Sequence, residues 1–335
     1  MTQISLGDMA THFASRRQNA LLKAEIGRLS KELTTGRVEN TARHLSGDLS
    51  QIADIEMSLR KAEASRFTIK EAATRTAAEQ LALESIRTVV GSLAGNLASA
   101  ENTQGQASQA ALASSAKQAF SQIVSTLNVR SAEQALFSGA STNVSPMANP
   151  SEILEALDVA ITGTTTPSAF NSAIDAWFDT PGGGFDTVAY RGSDQPAPPH
   201  QMVDGITESR PLRADDPAFK ETLKALAKSA LAVSASASLT VDDQARIQAE
   251  EGLTLFNQVE EITGIQAVLG ATQERIEQAS VQLEARFFSL SSARNNLLNV
   301  DTYDAATRLQ ETQFQLESLY AVTARMSRLS LLEYL

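Results

Sequence analysis

Apolar residues recur at every seventh position through the second half of the chain: Leu255, Ile262, Leu269, Ile276, Leu283, Leu290 and Leu297. Ile265, Thr272, Ala279 and Ala293 stand three residues after four of them, which gives the run the rhythm of a coiled-coil seam. A straight helix drifts by about 20° per heptad against such a repeat. The pattern therefore predicts a helix over about residues 242–298 that is wound against a partner helix. The ladder alone spans roughly 63 Å at 1.5 Å per residue. As an intrachain bundle its partner is the helical stretch around Leu45–Leu97.

Similar stripes mark both ends. Leu22, Ile26, Leu29 and Leu33 step 4-3-4 through a helix predicted over about 8–33. Thr34-Thr35-Gly36-Arg37 follows, with Gly36 suited to the left-handed residue that closes a helix. Leu45, Leu49, Ile52 and Leu59, then Leu83, Ile86, Val90, Leu93 and Leu97, suggest one long helix over 41–100. A further helix is expected over 106–137, with Leu112, Ala116, Ala119, Ile123 and Leu127 as its apolar face. At the far end, Leu309, Thr312, Leu316, Leu319, Thr323 and Met326 alternate steps of three and four through a last helix from about 301.

The middle changes character. Pro146, Pro150, Pro167, Pro181, Gly182-Gly183-Gly184, Pro196, Pro198, Pro199 and Pro211 punctuate it. Short helices are expected over 151–161 and 168–178, short strands over 185–191, 200–203 and 206–210, and a helix over 217–233. The fold class is thus mainly α. A long antiparallel helical bundle is formed by the N- and C-terminal regions, with a small mixed α/β insert between them. Three domains are expected: 1–40 with 300–335, terminal and helical; 41–139 with 222–299, the bundle; and 140–221, the outer insert.

Composition narrows the function. Over its 335 residues the chain carries a net charge of −11, against the basic face that phosphate binding needs, so no nucleic-acid partner is expected. Residues 140–220 hold 11 Asp+Glu against 4 Lys+Arg, which marks the insert as the acidic part. There is no cysteine, so thiol nucleophiles, disulfides and thiolate metal sites are excluded. No apolar run of about 18 residues is present to span a membrane. The opening Met1–Asp8 lacks a basic segment followed by an apolar one, so no cleaved secretory signal is expected.

Catalytic chemistry finds little support. His12, His44 and His200 are scattered, and none has a partner at metal-ligand spacing. Gly182-Gly183-Gly184 lacks the Lys-Ser/Thr of a phosphate loop and reads as a turn. Asp215-Asp216 and Asp242-Asp243 precede predicted helices, where carboxylates cap. No catalytic, cofactor-binding or metal site is assigned, and the chain is not expected to be an enzyme. The terminal stripes need burial of another kind. Isolated helices are marginal in water, a terminal helix pair alone buries little area, and the stripe from Leu309 has no intrachain shelter comparable to the ladder's, so both stripes are expected either to fray in the monomer or to fold against other subunits.

Four motifs add a resemblance. Leu33-Thr34-Thr35-Gly36-Arg37, Leu136-Phe137-Ser138-Gly139, Tyr190-Arg191-Gly192 and the closing Leu329-Ser330-Leu331-Leu332-Glu333-Tyr334-Leu335 occur in that order. Together they resemble the bacterial flagellar hook-associated protein 3 family, the hook–filament junction proteins of the flagellin-like superfamily. The likeness covers about 1–139 and 222–335. It departs after Arg37, where Ala42–Asp48 replaces the Pro- or Asp-rich loop common in flagellin relatives.

The resemblance implies a structural adaptor that joins hook to filament as a homo-oligomeric ring. It implies export through the flagellar type III channel with the help of an export chaperone, and a place in the extracellular flagellum. The neighbours it implies are hook-associated protein 1 and flagellin. The expected subunit interface is then Leu22, Ile26, Leu29, Leu33, Leu309, Leu316, Leu319, Thr323, Met326, Leu329, Leu332 and Leu335. Flagellin itself is the first alternative, and a soluble coiled-coil signalling protein the second.

Overall fold

In the computed structural model of the chain, the described residues are 6–102, 105–196, 201–203, 206–207 and 212–332. They are mainly helical, in the order α1 (Leu6–Thr35), α2 (Thr41–His44), α3 (Ser50–Ala98), a 3-10 turn at Ala100–Asn102, then α4 (Gln106–Leu127). The strands β1 (Arg130–Ser131) and β2 (Gln134–Ala135) form a hairpin. The insert supplies α5 (Pro150–Ala160), α6 (Pro167–Asp179) and a second hairpin, β3 (Gln201–Val203) with β4 (Ile206–Thr207). The chain then runs through α7 (Pro217–Leu231), α8 (Val241–Leu298) and α9 (Thr302–Leu332).

Two compact units result: 64–283, and the two ends 1–63 with 284–335. Their boundaries fall inside α3 and α8.

In the central unit, α8 runs antiparallel to α3 in heptad register. Gly252 abuts Ala98, a Cβ on Gly91 would touch Val259 Cγ2 at 3.8 Å, and Gln266 Nε2 donates to Glu84 Oε2 at 3.2 Å. Each step of seven down α3 is thus met by a step of seven up α8, the geometry the ladder predicts. Leu255, Ile262, Leu269, Ile276 and Leu283 are buried, while Leu290 and Leu297, in the terminal unit, are half-buried.

The insert shares the core of the bundle. Phe120, Phe137, Phe170, Phe178, Phe185 and Phe219 are all fully buried in one hydrophobic cluster with Leu83, Ile86 and Leu97 of α3 and Leu255 of α8. Phe137 meets Phe219 edge-on at 5.9 Å. Each such side chain contributes about 1.5–3 kcal/mol relative to exposure, so the insert is anchored by apolar burial. Its helices start where sequence chemistry says they should. Asn149, Thr166 and Asp216 accept N-terminal N–H groups of α5, α6 and α7, each followed by proline at the first helical position. Thr240 and Asp243 cap α8 reciprocally: the Asp243 N–H donates to Thr240 Oγ1 at 3.2 Å, and that hydroxyl donates to Asp243 Oδ2 at 2.7 Å.

Three expected elements differ. The helix over 41–100 is broken: Ser46 and Gly47 adopt φ of 53° and 86°, and Asp48 Oδ1 then accepts the Ser50 N–H at 3.0 Å to start α3. The helix over 106–137 stops at Leu127. There the Asn128 side chain takes both backbone groups of Met147, at 3.1 and 2.9 Å. The following hairpin turns on Ala132 and Glu133 at φ of 47° and 66°. Its sequence lacks the Asn-Gly or Asp-Gly that usually announces such a turn. The guanidinium of Arg130 holds it by donating to the Glu133 carbonyl.

The expected strand over 185–191 is mostly a π-turn, Phe185–Ala189, closed by the Tyr190 N–H donating to the Phe185 carbonyl at 2.8 Å. It follows Gly182-Gly183-Gly184, where the Gly182 N–H donates to Asp186 Oδ2 at 2.8 Å.

Two of the four motifs brace the insert. Leu136, Phe137 and Ser138 are buried. Their carbonyls tie down two returning segments: Phe137 accepts from the Ala214 N–H, and Ser138 from the Ser193 N–H, both at 2.9 Å. The Tyr190 hydroxyl donates to the Ser193 carbonyl at 3.0 Å, and burial pushes its pKa up to about 12.

Candidate subunit interface

The terminal unit is built on α1 packed along α9. Leu29 is buried between them, with Ala305 and Thr312 of α9. Leu22, Ile26, Leu309, Leu316, Leu319 and Thr323 are half-buried. The two terminal stripes therefore lie along one another, and most of their residues are only half covered, unlike Leu255–Leu283 of the ladder. Leu33 and Met326 are exposed. Leu329 and Leu332 belong to α9, and Leu335 lies outside the described residues.

Polar groups lock the pair at its root. Glu32, only 5% exposed, accepts from Arg28 Nη1 at 2.7 Å and from the Glu39 N–H at 2.9 Å. Arg28 also grips Glu25, whose carboxyl is held below its ordinary range mainly by that hydrogen bond. Gly36, at φ of 67°, donates to the Glu32 carbonyl and ends α1. The two connectors then pair: Val38 N–H to Leu298 carbonyl at 3.0 Å, Val300 N–H to Gly36 carbonyl at 3.1 Å. Arg37 Nη2 adds a bond to Asn295 Oδ1 at 3.2 Å. Further along, Asn19 and Lys23 of α1 hydrogen-bond Tyr320, and these bonds lower its pKa. The Leu33–Arg37 motif is thus the junction that returns α1 to α9.

The sides away from the seam are also apolar. Met9, Phe13 and Leu21 on α1, and Tyr303, Phe314 and Val322 on α9, are all exposed by more than half. At 100° per residue, Phe13 lies roughly opposite Leu22, and Phe314 about 160° from Leu316. Sequence reading passed over these residues because the cleaner stripe masked them. Their spacing, four residues from Met9 to Phe13 and eleven from Tyr303 to Phe314, was the signal. A helix pair with apolar residues on both outer sides has more surface to bury than one chain supplies.

Among the described residues, no group of three or more His, Asp or Glu side chains is placed to hold a metal ion. His12 and His44 are exposed, and His200 lies outside the described residues. Asp216 caps α7, and Asp215 pairs with Arg213 at 2.5 Å. No described helix is long and apolar enough to cross a membrane.

Residues 253–335 match the family model of the bacterial flagellin C-terminal helical region. The C-terminal quarter of the chain is flagellin-like. This flagellin-like region takes in most of α8, with the whole of its ladder, and all of α9. Its helices thus supply both the bundle seam and one half of the terminal pair. The fold is similar to that of a Vibrio parahaemolyticus protein assigned by its name to the flagellar hook-associated proteins. The TM-score is 0.50 at 10% identity, covering 73% of this chain and 94% of that one. Bacillus cereus FlgL aligns at 15% identity over 80% of this chain and 98% of its own, with a TM-score of 0.38. No curated protein sequence matches the chain.

Proposed function

We propose that this chain is a structural subunit of the bacterial flagellum that works by assembly, joining hook to filament. One observation carries the reading: the flagellin-like C-terminal region forms, with α1, a helix pair whose outer sides remain apolar and exposed. Such a pair gains stability when neighbouring copies cover it. In this reading the terminal unit is the inner, intersubunit part of a ring, with the seam residues Leu22, Ile26, Leu29, Leu309, Leu316, Leu319 and Thr323 holding its fold. Leu33, Met326, Leu329, Leu332 and Leu335 are offered to neighbours. Hook-associated protein 1 and flagellin are the partners on either side. The chain reaches the cell exterior through the flagellar export channel, with a chaperone keeping its termini from associating early.

Deletion tests the reading. Cells lacking the protein should keep their hooks and shed flagellin into the medium. Hooks that still carry full filaments in the deletion strain would sink it. Removal of residues 329–335 should abolish incorporation into flagella while leaving the fluorescence of Trp177, inside the central unit, unchanged.

The flagellin family model also fits a filament subunit, so abundance separates the two. Sheared flagella should contain this chain at a small fraction of the major filament protein, with immunogold label confined to the hook end. Label along the whole filament would make it a filament subunit.

A further inference from the structure

We infer that copies of this chain join head-to-tail, the outer face of α1 in one copy seating on the outer face of α9 in the next. The inference rests on the assembly role proposed above and adds which face meets which.

The two outer faces are alike in apolar character and opposite in charge. On α1, Met9, Phe13, Ala20 and Ala24 lie on the side away from the seam and are exposed. Arg16, Arg17 and Lys31 share that side, and no acidic residue joins them between 9 and 31. Lys31 is engaged by Glu39 at 2.8 Å, so Arg16 and Arg17 set the charge along the ridge. On α9, Tyr303, Phe314 and Ala321 are exposed opposite the seam, with Glu311 and Glu317 between and beside them. Arg325 stands at the far end of that stretch.

Charge then selects the mode of contact. A two-fold contact places α1 on α1, or α9 on α9. Either sets like charges facing one another around an apolar ridge, which costs stability and disfavours that pairing. A head-to-tail contact sets Arg16 and Arg17 toward Glu311 and Glu317, and covers both ridges. Because the faces lie on opposite sides of the pair, one copy can engage two neighbours at once. Such a contact propagates, closing into a ring or continuing as a helix according to its rotation.

The chain has no cysteine, so thiols can be introduced singly. In flagella sheared from cells carrying Phe13→Cys with Phe314→Cys, a short bis-maleimide should yield a ladder of dimers, trimers and higher species. Either substitution alone should leave monomers. Dimers from one substitution alone, or no product from both in assembled protein, would overturn the head-to-tail contact. R16E/R17E and E311R/E317R should each reduce incorporation by at least about tenfold, equivalent to 1.4 kcal/mol or more. The variant carrying all four changes should recover it. If the four-fold variant stays excluded, or the two-site variants incorporate normally, the charge argument fails and the proposal with it. Absence of the unaltered chain from sheared flagella would instead remove the flagellar reading on which the contact depends.

Discussion

At the residue scale, the most consequential buried charge is Glu251 on α8. Its carboxylate meets Lys228 Nζ of α7 at 3.3 Å, and the same ammonium meets Asp175 of α6 at 2.8 Å. Burial pushes the Glu251 pKa above its ordinary value near 4.5, and the Lys228 charge offsets this only in part. Burial also works against the Lys228 charge, but Glu251 and Asp175 together hold its pKa up.

A carboxyl with a raised folded pKa binds its proton more tightly in the folded chain. Its contribution to stability is therefore greatest at low pH and falls as pH rises from about 4.5 through the folded pKa. Glu251→Gln removes that dependence. The melting temperature of the unaltered chain should fall relative to the Gln variant between pH 4.5 and neutrality, followed by Trp177 fluorescence. A difference that stays constant across that range would show that Glu251 does not titrate there.

At the element scale, α3 and α8 show what a heptad repeat does and does not say. The ladder residues are buried from Leu255 to Leu283 and only half-buried at Leu290 and Leu297, although the repeat is unbroken. Ile262→Ala should therefore cost about 2–5 kcal/mol in urea unfolding, and Leu290→Ala distinctly less. Equal costs would mean that burial does not grade along α8. The two helices approach closely at Gly252, where a Cβ would come within 2.8 Å of the Ala98 Cα. Gly252→Ala forces backbone apart and should cost about 1–3 kcal/mol, even though alanine favours helix at that position. A stabilised variant would show that the two helices can part there freely.

At the scale of the whole molecule, the two units differ in what holds them. The central unit has a continuous core with six fully buried phenylalanines. In the terminal unit α1 and α9 share a narrow seam, and large apolar residues stand exposed beside it. Thin pairs with little buried area open at lower free energy than cores. Trp177 is the only tryptophan and lies in the central unit. On heating, far-UV circular dichroism should lose helix in a first phase during which Trp177 fluorescence is unchanged. The core should melt later. A single transition seen identically by both probes would show that the terminal pair is as stable as the core. In sheared flagella the first phase should disappear, because neighbours cover the pair.

Periodicity alone determined most of the helices, their mainly α class, and the need of the ladder for a wound partner around Leu45–Leu97, because a strict seven-residue repeat keeps its seam only against another helix; the antiparallel register with α3 came from the fold. Proline and capping residues likewise marked where α5, α6 and α7 begin, since those signals act within a few residues. Only tertiary structure decided the rest. The Ala132–Glu133 turn is held by Arg130, and α4 ends where Asn128 grips Met147; neither depends on local propensity. The terminal stripes were legible as stripes, but a stripe does not name its partner. Folding gave each to the other, and left the opposite faces, basic on α1 and acidic on α9, as the surface that remains to be covered.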